Sequence, residues 1–146
     1  MKELIIILPV ILGFVIGRLF KSNSWYFNLK KSPLTPPGYV FGIAWSILYI
    51  LIGISYYLAL RDKSIEYWII PLMHLLLNYS FTPLLFSFNL LLESAIITLL
   101  ILITAIIVMI LFYSYDRMIS VYLLIPYILW LIFANYLIWS IYAINK

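Results

Sequence analysis

Apolar residues occupy this chain in five long runs, at about Leu4–Phe20, Tyr39–Leu60, Ile65–Phe88, Leu91–Tyr113 and Ile119–Asn145. Each run approaches the roughly 20 residues a helix needs to cross a bilayer. The breaks between the later runs are short and polar: Arg61-Asp62-Lys63-Ser64, then Asn89, then Asp116-Arg117. The first break, residues 21–38, is longer and carries Pro33, Pro36 and Pro37 beside Lys30 and Lys31. Proline lacks the donor a helix needs and holds its neighbours extended, so this break is predicted to be a structured loop. The inside–outside alternation of a membrane barrel is missing, and helices satisfy their backbone groups within each segment. The pattern predicts an all-α integral membrane protein, a five-transmembrane-helix bundle, with residues 1–146 as one domain.

Composition strengthens this reading. The chain is 66% hydrophobic and 10% charged, with mean hydropathy +1.14. A soluble domain carries roughly 25% charged residues, so at this length the bilayer must do the burying, and the expected location is a membrane crossed several times. Cysteine is absent, which excludes disulfides and thiol-ligated metal. The net charge of +4 suits anionic lipid headgroups better than nucleic acid, which would call for a basic stripe. No small-x-small cleavage site follows Phe20, so the first run is expected to stay as a span rather than act as a signal peptide.

Within the runs, a few positions interrupt the hydrocarbon. Gly13 and Gly17 form a GxxxG, a place where another backbone comes close, with internal packing favoured over a dimer seam. Phe41, Trp45, Leu48 and Tyr49 share a helix face. Such a stripe serves packing more often than ligand binding, and spacing alone leaves both readings open. In the third run His74, Asn78 and Thr82 share a face, and Pro83 is expected to bend the helix. Polar side chains in hydrocarbon face a bundle interior. His74 reads either as a neutral imidazole bonded to a neighbour or as an axial haem ligand, and the lack of a second His or any Cys favours the former. Asn78 is the stronger pocket residue. The fourth run reads as a lipid-facing wall of Ile and Leu, with Glu93 favoured by the positive end of its helix. In the fifth, Tyr127, Trp130 and Ala134 share a face, and the small residue leaves space for a flat molecule. Trp25 and Tyr26 suit an interfacial belt, while the Lys30-Lys31 pair suits lipid headgroups or a ligand's acid groups at the mouth.

Several chemistries are missing. No metal-ligand cluster, catalytic triad or phosphate-binding loop is present, so no metal and no firm catalytic residue is assigned. The acids Glu3, Asp62, Glu66, Glu93 and Asp116 fall at span ends or turns, unlike an intramembrane proton relay. Leu137, Tyr142 and Lys146 fit a permissive sterol-contact pattern of little weight. Lys2, Arg61, Lys63 and Arg117 fall on one side and Arg18, Lys21, Lys30, Lys31 and Lys146 on the other, a balance that assigns no orientation.

Trp25-Tyr26, Leu29, Lys31, Pro36-Pro37, Phe41, Trp45 and Leu48-Tyr49 resemble the WY…L.KP…PP…F…W..LY signature of the TspO/MBR family, the translocator or peripheral-type benzodiazepine receptor proteins. Leu77-Asn78, Thr82-Pro83 and Phe86 are similar to that family's third-helix segment. Pro126-Tyr127, Trp130, Phe133-Ala134, Leu137, Ile141 and Asn145 resemble its fifth-helix pattern. The resemblance implies a five-helix bundle, a homodimer, and a pocket capped by the first loop that binds tetrapyrroles such as protoporphyrin IX or haem as ligand rather than as obligatory cofactor. It places Trp25, Tyr26, Trp45, Asn78, Trp130 and Ala134 at the ligand, with Phe41, Tyr49, His74, Thr82, Phe86 and Tyr127 as secondary candidates. It also implies alternatives: light-dependent porphyrin breakdown with Trp25, Trp45 or Trp130 as redox partners, or a transporter of lipid- or sterol-like solutes or a regulatory membrane subunit. Ser32-Pro33-Leu34, Phe81 and Ile138 depart from the family pattern, so simple binding follows more directly than photochemistry.

Overall fold

The computed structural model describes residues 3–146, apart from the Ile5 side chain; Lys2 lies outside the described residues. Five helices carry the apolar runs: α1 (Leu4–Leu19), α3 (Gly38–Leu60), α4 (Ile69–Phe86), α5 (Leu91–Ser114) and α6 (Met118–Asn145). A short α2 (Ser24–Phe27) lies in the first loop, and a 3₁₀ turn (Ile65–Trp68) leads into α4. Around the bundle the order is α1, α3, α6, α5, α4, with α4 returning to α1. Helices α3, α4 with its 3₁₀ turn, α5 and α6 are long and apolar enough to span a bilayer. At 16 residues, α1 rises about 24 Å, short of a roughly 30 Å hydrocarbon core. Arg18 in its last turn, with Lys21 just beyond, can reach the headgroups along an alkyl stem.

The third helix stops at Phe86 rather than Phe88. The Pro83 carbonyl accepts from Ser87 and Phe88 N–H at 3.0 and 3.1 Å, and Asn89 then turns the chain with φ 55°. Asparagine tolerates that left-handed conformation because its short amide can bond locally. Asp116 makes the equivalent turn after α5, at φ 58°.

The fourth run is a correction. Instead of a uniform lipid-facing wall, α5 buries Ser94, Ala95, Thr98, Ile101, Ala105, Val108 and Phe112 along one stripe. Four of these are small, which lets α4 and α6 come close without a solvent-driven apolar term. Leu and Ile hid the stripe because they populate every face, whereas the informative signal was the spacing of the small residues.

Polar groups bolt the helices together where water cannot. Ser55 Oγ donates to the Ser120 carbonyl at 2.8 Å and Ser120 Oγ to the Ser55 carbonyl at 2.7 Å, joining α3 to α6 reciprocally. Tyr79 Oη donates to the Pro9 carbonyl at 3.0 Å, fixing α4 to α1. At the face opposite the first loop, Arg117 Nη2 donates to Asp62 at 2.5 Å, and that bond holds the exposed Asp62 carboxyl below its ordinary value.

Glycines set how close α1 and α3 run. A Cβ on Gly13 would collide with the Tyr49 ring, and one on Gly53 with the backbone carbonyl of Ile6; Gly17, Gly38 and Gly42 face open space. Gly13 therefore serves packing inside the chain. Gly53 is the tighter of the two close approaches, and no GxxxG marks it. Gly53→Ala should lower stability in detergent by about 1–3 kcal/mol because backbone cannot yield as a side chain can. Gly42→Ala should be neutral or gain up to about 1 kcal/mol from helix propensity. Equal melting shifts for the two variants would contradict this packing.

Candidate functional site

The bundle encloses a cavity of about 710 Å³ beneath the first loop, lined from all five long helices and the loop itself. That volume lies within the roughly 300–1,000 Å³ typical of small-molecule sites. One wall is aromatic. Trp45 and Trp130 meet edge to face with centroids 6.5 Å apart, Phe41 lies 5.9 Å from Trp130, and Tyr49 lies 5.4 Å from Trp45. Ala134, one turn beyond Trp130, lines the cavity with only a methyl.

The floor is polar and fully ordered. Tyr49 Oη donates to Asn78 Oδ1 at 2.7 Å, and Asn78 Nδ2 donates to Tyr127 Oη at 2.6 Å. Tyr127 Oη meets His74 Nε2 at 2.8 Å, and His74 Nδ1 meets Thr104 Oγ1 at 2.6 Å. The Thr104 hydroxyl lies 2.9 Å from the Leu100 carbonyl and 3.1 Å from that of Ile101. Counting hydrogens gives the direction. A hydroxyl bonded to a carbonyl spends its proton there, so Thr104 accepts and His74 Nδ1 carries hydrogen. Tyr127 already accepts from Asn78, so its own proton goes to His74 Nε2. His74 is thus neutral, with both ring nitrogens occupied, which removes it as an axial haem ligand. The chain joins α3, α4, α6 and α5 in one direction.

The loop forms the roof. Asn23 accepts from Tyr26 N–H at 3.0 Å, capping α2, and its Nδ2 donates to the Phe86 carbonyl at 2.7 Å. Asn145, at the end of α6, accepts from Lys30 N–H at 3.0 Å and donates to the Lys30 carbonyl at 2.7 Å. Ser32 and Tyr136 share a hydrogen bond of 2.7 Å. Tyr26 meets Phe86 edge to face at 5.0 Å. Burial raises the Tyr26 phenol above its ordinary value and lowers Lys31 below its own.

Of the residues picked from the sequence, Tyr26, Trp45, Asn78, Trp130, Ala134, Phe41, Tyr49, Thr82 and Phe86 line the cavity. Trp25 does not; it packs beside the cluster of Leu85, Ala95 and Ile138. In the single turn of α2 it is Tyr26 and Phe27 that line the cavity, and Trp25, about 100° back around the helix from Tyr26, falls on the side of that cluster. His74 and Tyr127 stand behind the lining and hold Asn78 in place. Among the described residues no group of His or acidic side chains is placed to hold a metal. Sequence reasoning missed Thr98 and Ile101 from α5, and Thr35 from the loop, all of which line the cavity. The small-residue stripe would have pointed to Thr98.

Two lining residues have buried polar atoms without a partner, Trp130 Nε1 and Thr35 Oγ1. Buried donors are nearly always satisfied.

The TspO/MBR family profile matches residues 5–143. The chain is 36% identical over 126 residues to the tryptophan-rich protein TspO of Bacillus cereus, covering 84% of this chain and 82% of that one. It is 39% identical over 134 residues to the membrane protein YtaB of Bacillus subtilis, covering 88% and 86%. It is 33% identical over 142 residues to the TspO of Archaeoglobus fulgidus, covering 92% and 90%.

Tyr127→Phe removes the hydroxyl that serves both Asn78 and His74. It should cost about 1–3 kcal/mol in detergent unfolding, the penalty for orphaning buried groups. Tyr122→Phe, at an exposed position, should stay within about 0.5 kcal/mol of the parent. Matching losses would mean the chain carries no special weight.

Proposed function

The chain belongs to the TspO/MBR family, and from that premise we propose that it is a membrane receptor or carrier whose interhelical cavity binds tetrapyrroles or similar flat hydrophobic molecules. The observation that carries this reading is the pairing of an aromatic wall with an unpartnered indole donor. Phe41, Trp45 and Trp130 present rings on which a flat macrocycle can lie, and offset or edge contacts of such rings are favourable beyond simple burial. Trp130 Nε1 is buried without an acceptor, so a ligand acceptor placed there recovers a bond the protein lacks. Ala134 keeps the adjacent space clear. The Tyr49 oxygen and the second Asn78 N–H remain on the floor for ligand polar groups, because their other valences are spent within the chain. The protein needs no obligatory cofactor for this role, and the tetrapyrrole is its ligand.

A second reading is light-dependent porphyrin breakdown. It is favoured by the contact of Trp45 with Trp130, two oxidisable indoles on one cavity wall. Trp25, packed away from the lining, has no part in it. Illumination in oxygen with product analysis separates the two: a product formed only with protein supports breakdown, and loss equal to a protein-free control ends it.

A dark titration of the detergent-solubilised protein with protoporphyrin IX, followed by tryptophan quenching, should saturate. Trp130→Phe keeps the ring and removes the donor, and should weaken binding roughly fivefold, the value of one hydrogen bond near 1 kcal/mol. Trp45→Ala should weaken it more, through lost ring area. Unchanged affinity in both variants would sink this assignment.

A further inference from the structure

Among the described residues the cavity lining contains one charged side chain, Lys31. The acids of the sequence, Glu3, Asp62, Glu66, Glu93 and Asp116, all lie away from it. Lys31 is held firmly: its Nζ donates to the carbonyls of Tyr26 at 2.8 Å and Leu29 at 3.1 Å, and it lies 4.5 Å from the Tyr26 ring centroid. These contacts fix the ammonium and use two of its three hydrogens, but they do not neutralise it. Among the described residues it has no carboxylate partner. Four residues on, Thr35 also lines the cavity, and its buried hydroxyl has no partner.

Lys30 is different. Its backbone is clamped on both sides by the Asn145 amide and it is exposed. With the Lys30 backbone held by that clamp, Lys30 is left exposed while Lys31 lines the cavity. The basic pair therefore divides into one lysine for the headgroup region and one for the cavity.

We propose that Lys31 and Thr35 form an anion subsite at the mouth of the cavity, which takes a carboxylate of the bound ligand while the ligand's apolar body lies among the aromatic residues below. The inference rests on the reading of the cavity as a binding site, and adds the charge and the orientation of what binds. A carboxylate accepts the third Lys31 hydrogen and the Thr35 hydroxyl proton together, in charge-assisted bonds stronger than neutral ones. The ligand is thus an acid with a flat apolar body, entering body first.

The test compares protoporphyrin IX with its dimethyl ester on the full chain in an uncharged maltoside detergent, using tryptophan quenching. The diacid should bind roughly tenfold tighter than the diester, as expected of a hydrogen bond to a charged group. Lys31→Met should bring that ratio close to one by weakening the diacid more than the diester, and Lys30→Met should keep the parental ratio. A parental ratio near one, or a ratio that survives Lys31→Met, overturns the subsite while saturable diester binding leaves the cavity reading standing. If neither porphyrin saturates, the cavity reading falls and the subsite with it. Should Lys31→Met lose diester binding too, because two loop carbonyls lose their donor, the near-isosteric Thr35→Val decides. A reduced ratio then supports the subsite, and an unchanged one overturns it.

Discussion

In the hydrocarbon of a bilayer a polar side chain has no water to fall back on, so each one must find a partner in another part of the protein. The chain from Tyr49 through Asn78, Tyr127 and His74 to Thr104 is this protein's answer, and it sets the arrangement of four helices at once. Every proton has one destination, ending at backbone carbonyls of α5. Sliding any of these helices by a residue would break at least one link and strand a donor. Apolar packing cannot impose such a register, because lipid tails satisfy an exposed Leu as well as a neighbouring helix does.

The same constraint shapes the cavity. A floor whose hydroxyl hydrogens are committed presents fixed polar groups rather than rotating hydroxyls, and an aromatic wall stands on it. Above, the loop is fastened by amides, Asn23 to the end of α4 and Asn145 to Lys30. Side-chain amides suit this task, since each offers a donor and an acceptor to the backbone it grips. The roof thereby becomes part of the cavity wall, with Tyr26, Lys31 and Thr35 among its lining. The close approaches at Gly13 and Gly53 draw α1 against α3 below the mouth, while Gly17, Gly38 and Gly42 leave it open.

Much of this was legible in the sequence, for definite reasons. The spans follow from run length, and helix boundaries fall within two residues of their runs, the usual uncertainty of helix ends, except that the third run opens with the 3₁₀ turn Ile65–Trp68 before α4 begins at Ile69. Asn78 stood out because an amide inside a membrane run demands a partner. Helical spacing put Trp45 on one shared face and Trp130 with Ala134 on another, and the family resemblance turned those faces toward a pocket. Other features depend on tertiary pairing, which no local pattern encodes. The partners of His74 lie on α5 and α6, so spacing could not choose between a structural imidazole and a ligand. Gly53 has no glycine four residues away in its run, and only the passage of the Ile6 backbone gives it meaning. Trp25 was misplaced because residues 24–27 form one turn of helix, capped by Asn23, that turns Tyr26 and Phe27 to the cavity and sets Trp25 beside Leu85, Ala95 and Ile138. Lys30 and Lys31 looked equivalent until the Asn145 clamp distinguished them.

The chain contains a single histidine, so its ring nitrogens can be observed without ambiguity by ¹⁵N NMR of histidine-labelled protein in detergent. The one-way chain predicts a neutral imidazole with hydrogen on Nδ1 and none on Nε2, held as one tautomer. Hydrogen on Nε2, or an averaged signal from exchanging tautomers, would contradict the account.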